Sequence, residues 1–130
     1  MSAPVLTAVF HNWHCDHFGH VNVRHYAGVF DDAIFAFWTR MGAAKSGIVP
    51  VTATITAAFK SEVQAGDIVQ IMASVTRIGG KSATITLTMQ DPIGDVRATC
   101  EVVEVFFDMA TRHSAPMPDA VRQALTDAAK

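Results

Sequence analysis

A chain of 130 residues has room for one hydrophobic core, so one domain spanning residues 1–130 is expected. Half of the residues are apolar, 17% are charged and the net charge is −2, which excludes an extended disordered chain. The 10 Lys and Arg side chains are scattered, leaving no basic patch for a nucleic-acid backbone, so no nucleic-acid partner is expected. Mean hydropathy is +0.25. A domain this small cannot hide that much apolar surface alone, which points to a subunit interface and a homo-oligomer. The apolar stretches are too interrupted to span a bilayer, and residues 1–6 lack the basic start and apolar run of a signal peptide. Cys15 and Cys100 stand in no motif spacing and read as reduced thiols of a cytoplasmic protein without membrane partners.

Residues 5–15, rich in Val, Phe and Trp, predict a first strand. A helix is expected over residues 22–41. Val23, Tyr26, Ala27, Phe30, Ala33, Ile34, Phe37, Trp38 and Met41 keep the three-and-four spacing of one helical face. Asn22 suits the N-cap and Gly42 the C-terminal stop. Val29 and Phe35 widen the apolar face, as in a helix wrapped by a sheet, and Gly28 in mid-helix suggests close backbone approach. Beyond Pro50 the period changes to that of strands, at residues 51–59, 68–78, 81–90 and 96–108. Gly79-Gly80 reads as a tight hairpin link and residues 91–94 as a turn. In the third of these strands Ala83, Ile85, Leu87 and Met89 share one face and Ser82, Thr84, Thr86 and Thr88 the other. Pro118 opens a short helix that docks through Val121 and Leu125. One curved antiparallel sheet of about five strands around a long central helix, an α+β fold, is the economical packing of this order.

Reactive side chains concentrate in Trp13-His14-Cys15-Asp16-His17-Phe18-Gly19-His20-Val21-Asn22, between a strand end and a helix start. The first N–H groups of a helix lack internal partners and its dipole favours negative charge there. Such an N–H can hold a developing oxyanion while a neighbouring carboxylate, Asp16, attacks or activates water. Asp16 also reads as a turn residue, His20 as a loop-fixing partner and Asn22 as a cap. The series His11, His14, Cys15, His17 and His20 has neither strand spacing nor a closed zinc pattern, so no metal is expected. Cys15 has no adjacent base that spacing can supply for nucleophilic work. Glu62 reads as a solvated charge ahead of the Gly66 turn. Trp13, Phe18 and Tyr26 read either as core or as an acyl pocket.

The run Asp16-x-x-Gly19-His20-Val21-Asn22, followed by Tyr26 and an apolar helix, resembles the signature of hotdog-fold acyl-CoA thioesterases of the hydroxybenzoyl-CoA thioesterase type. Residues 59–67, ending in Gly66-Asp67, residues 77–82 around Gly79-Gly80, and Asp108, Thr111-Arg112 and Pro118 resemble later elements of that family in order. The resemblance implies the hotdog fold and hydrolysis of a small or medium acyl-CoA to free acid and CoA. It makes Asp16 nucleophile or general base and the Val23 N–H the oxyanion donor, with His20 and Asn22 sharing the work or shaping the loop. It also implies a homodimer or homotetramer that joins sheets, with sites at the subunit interface. Coenzyme A enters as part of the substrate and no cofactor is implied; its phosphates would suit Arg77, Lys81 and Arg112. A non-enzymatic acyl-CoA-binding protein of the same fold is the alternative. A hydroxyacyl-thioester dehydratase fits less well, because the helix over residues 22–41 carries no Glu.

Overall fold

A computed structural model describes residues 3–130. Met1 and Ser2, which open the stretch expected to carry no signal peptide, lie outside the described residues. The chain runs β1 (Leu6–Val9), a single 3₁₀ turn (Asn12–His14), α1 (Val23–Met41), β2 (Ile48–Phe59), β3 (Ile68–Ile78), β4 (Ser82–Gln90), β5 (Val96–Asp108), β6 (His113–Ser114) and α2 (Asp119–Ala128). The strands form one antiparallel sheet in the order β1-β3-β4-β5-β2, with the two-residue β6 beside the end of β5. Register shifts at Thr52/Thr54, Val75/Arg77 and Met89/Gln90 bend the strands where an extra residue enters the ladder. The result is the curved sheet of the hotdog fold.

The inward stripe of the sheet follows the predicted alternation. Ala83, Ile85, Leu87 and Met89 of β4 are buried, as are Ala98, Cys100, Val102 and Phe106 of β5. They share one core with Tyr26, Phe30, Ala33, Ile34, Phe37 and Trp38 of α1, and with Val121 and Leu125 of α2. The caps of α1 match expectation: Asn22 Oδ1 accepts the Arg24 N–H at 3.1 Å, and Gly42 takes the left-handed conformation with φ 77. No described helix is long and apolar enough to cross a membrane.

Three local expectations are corrected. The first strand ends at Val9 instead of Cys15, because His11 folds the chain on itself. The His14 ring accepts the His11 N–H at 2.8 Å while the His14 N–H donates to the His11 carbonyl at 3.0 Å, so local bonds replace the ladder. The second strand begins at Ile48 and runs through Pro50, which an edge strand tolerates. Gly28 is exposed, with nothing in this chain within 4 Å of where a Cβ would stand.

Candidate active site

The segment between β1 and α1 is a small closed structure held on three sides. Phe10 is buried, and its backbone exchanges bonds with the β2–β3 connection: Phe10 N–H to the Asp67 carbonyl at 3.1 Å, Gly66 N–H to the Phe10 carbonyl at 2.7 Å. Cys15 and Val21 pair as an isolated antiparallel bridge, flanked by Asn22 N–H to the His14 carbonyl at 2.8 Å and Asp16 N–H to the His20 carbonyl at 3.1 Å. Residues 16–20 therefore loop out as a tight turn. Gly19 closes it at φ 84, a conformation that favours glycine. The Val21 N–H donates to the Val63 carbonyl at 2.9 Å, pinning the loop to residues 60–67.

Within that loop Asp16 is half-buried and its two oxygens are differently engaged. Oδ1 accepts the Phe18 N–H at 2.9 Å, and Oδ2 lies 3.4 Å from Asn22 Nδ2. Since Asn22 Oδ1 caps α1 at the same time, one amide ties the carboxylate to the helix start. The Val23 N–H, the first of α1, finds no acceptor among the described residues. An exposed, unpaired N–H at a helix N-terminus beside a fixed carboxylate is an arrangement suited to acyl transfer.

His20 does not turn to Asp16. Its Nε2 meets Glu62 Oε2, and both side chains are partly exposed. By sequence Glu62 is a solvated charge; in the structure it is, though partly exposed, the partner of a loop histidine. Its backbone is fixed by Arg97, whose Nη1 donates to Ser61 Oγ at 3.0 Å and to the Glu62 carbonyl at 3.2 Å, while Nη2 pairs with Asp91 at 3.1 Å. The only sequence signal for Glu62 was its place in the segment 59–67 that resembles the family.

Tyr26 is 5% exposed and belongs to the core. Its hydroxyl oxygen accepts the Val63 N–H at 3.1 Å, and its ring meets Phe59 edge-on at 5.0 Å. Burial raises its phenol above the ordinary value of 10.0, with the Val63 N–H pulling the other way. Trp13 and Phe18 are each 71% exposed in this chain, Trp13 stacked on His11 at 4.3 Å. His25, one turn into α1, packs edge-on against His14 at 4.8 Å. Desolvation, then the His14 and Arg24 charges, lower its pKa from 6.5. Cys15 and Cys100 are both free.

Arg77, Lys81 and Arg112 are exposed and gather at the other end of the sheet from Asp16. The strand from Ile68, near Phe10, to Arg77 covers about 30 Å at the usual rise. Arg112 sits in a left-handed turn at φ 64 with its guanidinium 5.1 Å from the Phe107 ring centroid. One protomer thus does not bring the predicted basic residues to the predicted carboxylate.

Residues 9–125 match the family model of the thioesterase-like superfamily. No curated protein matches the chain in sequence. Among solved structures, a Staphylococcus aureus protein in complex with CoA is similar, with a TM-score of 0.89 and 19% identity over 95% of this chain and 82% of that one. A gentisyl-coenzyme A thioesterase is similar with a TM-score of 0.82 and 22% identity, over 92% of this chain and 98% of that one. The 1,4-dihydroxy-2-naphthoyl-CoA thioesterase of Synechocystis gives a TM-score of 0.81 and 12% identity, with 94% of each chain covered. At these identities the likenesses show the fold.

Proposed function

This chain belongs to the thioesterase-like superfamily and is by that membership a thioester hydrolase; we propose that its substrate is a small or medium acyl-CoA, with Asp16 as the reacting carboxylate. The observation that carries this reading is the Asn22 side chain, which holds Asp16 Oδ2 and caps the helix whose first free N–H is that of Val23. The thioester carbonyl oxygen accepts from the Val23 N–H, so negative charge developing there is met by a fixed dipole. Asp16 then either attacks the carbonyl carbon, giving an anhydride that water opens, or takes a proton from the attacking water. In both routes the carbon–sulfur bond breaks, the thiol leaves protonated and the acid leaves as carboxylate. His20, engaged by Glu62, shapes the outer wall of the loop.

The complete site is a dimer's. Strand β2 is a long sheet edge with no charged residue, and residues 51–60 are all exposed. An unpaired edge of this kind is a template for another strand. Val51, Ile55 and Phe59 on it, with Phe35 of α1, leave apolar surface in water. Ala27 and Gly28 face a groove shared with Thr54 and Ile55, where absence of bulk admits a neighbouring helix. Two-fold antiparallel pairing of β2 sets the Phe59 end of one copy, beside Tyr26 and the Asp16 loop, against the Ile48 end of the other, beside Asp108 and Arg112. Across that seam Arg112 meets a CoA phosphate, with Lys81 and Arg77 at the β3–β4 hairpin at the same end of the sheet.

The test is release of thiol from a panel of acyl-CoAs. Turnover of at least one short or medium acyl-CoA is the expected result. Saturable CoA binding with no thiol release from any member would overturn the reading in favour of a binding protein.

A further inference from the structure

The turn ahead of the Asp16 loop is closed by a titratable side chain. His14 Nδ1 accepts the His11 N–H at 2.8 Å. A main-chain N–H can only donate, so Nδ1 carries no proton and the neutral ring keeps its hydrogen on Nε2. An imidazolium has hydrogens on both nitrogens and cannot make this bond. The His14 ring is half-buried. Phe10, at the end of β1, lies nearly perpendicular to it at 5.3 Å, and His25 of α1 does so at 4.8 Å. His11 and Trp13 flank it within the turn, at 5.9 and 5.3 Å. His25 Nε2 is buried with no hydrogen-bond partner among the described residues. Among the described residues no carboxylate pairs with His11, His14 or His25. The Asp16 oxygens are engaged by the Phe18 N–H and Asn22. Asp67, whose carbonyl holds Phe10, gives its Oδ2 to the Gln64 N–H. The charge that acts on His25 from outside the pair is the cation Arg24. A proton on either ring therefore finds no paired counter-charge.

We propose that His14 is a positioning residue for the reacting carboxylate, and that protonation of its ring slackens the Asp16 loop, so that mild acid gates the reaction. The assignment rests on the thioesterase reading. The path from the ring to the carboxylate is short. The turn is held by the His11 N–H on the ring, the His14 N–H on the His11 carbonyl and the Cys15 N–H on the Asn12 carbonyl. The His14 carbonyl accepts the Asn22 N–H at 2.8 Å, and the Asn22 side chain both holds Asp16 Oδ2 and caps α1. Loosening the turn thus moves the residue that fixes the carboxylate against the Val23 N–H. His11 is exposed, so water can take up its N–H when the ring lets go. The loss is then one of alignment at the site more than of overall stability. His25 works in the same direction. Desolvation, then the His14 and Arg24 charges, lower its pKa from 6.5. Its packing on His14 therefore contributes stability that is present above that value and is lost as the pH falls.

Two readouts from about pH 8 to about pH 5, where histidine changes charge, test the gate. One is turnover of the best acyl-CoA of the panel; the other is the nuclear magnetic resonance shift of the His11 amide against those of the His14 ring nitrogens, read without substrate. Wild-type turnover is expected to fall about tenfold toward acid, with the His11 amide shifting in step with the His14 ring. His14→Leu has no acceptor and should be about tenfold slower across the range, without the wild-type acid limb. His14→Asn sets an acceptor oxygen where Nδ1 stands and does not titrate. It should restore the turnover lost in the Leu variant and hold it as the pH falls. Should the Leu variant fail to fold, the Asn variant and the wild-type shifts decide. An Asn variant with the wild-type acid limb, a folded Leu variant with wild-type turnover at the alkaline end, or a His11 amide indifferent to the His14 ring overturns the proposal. Coupled titration of His11 and His14 in a protein that releases no thiol keeps the acid-sensitive turn and refutes acyl-CoA hydrolysis; thiol release with an acid limb that the Asn variant retains does the reverse.

Discussion

Replacing Tyr26 by Phe removes one oxygen and leaves the ring in place against Phe10 and Phe59. The lost atom is the acceptor of the Val63 N–H, at 3.1 Å, and Val63 is fully buried. Water has little access there, so the variant leaves a buried donor unmatched, a loss of about 1–3 kcal/mol. For a protein of this length each kcal/mol lowers the melting temperature by about 3–5 °C. Urea denaturation of wild type and Tyr26→Phe at equal protomer concentration measures the loss directly, because oligomer linkage is then the same in both. The same bond holds the segment that carries Glu62, so the His20–Glu62 contact should loosen. Discrimination among acyl chain lengths should not change, since the Tyr26 ring lies in the core. A stability loss below about 0.5 kcal/mol would refute the tether, being less than an unmatched buried donor brings. A changed acyl-chain preference with intact stability would return Tyr26 to the pocket.

Two further predictions rest on other parts of the molecule. Glu104 has a folded-state pKa raised above its ordinary 4.5, so the native state holds the proton more tightly than the unfolded chain, and wild-type stability should fall as pH rises above that value. Glu104→Gln keeps the Trp38 bond and cannot ionise; urea midpoints should therefore diverge in its favour with rising pH, and a pH-independent gap would contradict the assignment. Ile55 is 54% exposed in mid-β2. Ile55→Lys places a charge in the proposed seam, so light scattering should move from dimer towards the 14.0 kDa protomer with loss of activity, and an unchanged mass would remove the edge-pairing argument.

Legibility in the sequence followed the length scale of the signal. The helix and the alternating strands were readable because burial imposes a period over many residues, and Asn22, Gly42, Val121 and Leu125 took their expected places for local reasons. The first strand was overextended because His11 and His14 bond each other's backbone neighbourhood, and apolar pattern carries no trace of that competition. The partner of Glu62 is not legible in the sequence because its meeting with His20 joins two loops distant in sequence. Nothing in the sequence marks Glu104, because it sits in register with apolar residues of β5 and its inward direction appears only when the strand is placed. Arg77, Lys81 and Arg112 were readable as a set but not as remote from Asp16, since that distance depends on strand order.

The central claim is that the Asp16 carboxylate does the chemistry, and Asp16→Asn tests it most directly. The substitution keeps the shape and an oxygen able to accept the Phe18 N–H, and removes the charge and basicity. Steady-state thiol release from the best acyl-CoA of the panel, on variant protein that is folded and of wild-type mass, is the measurement. The account predicts turnover lower by about 100-fold or more with a little-changed KM, the size of loss that follows removal of a general base or nucleophile. Turnover within a few-fold of wild type would contradict it.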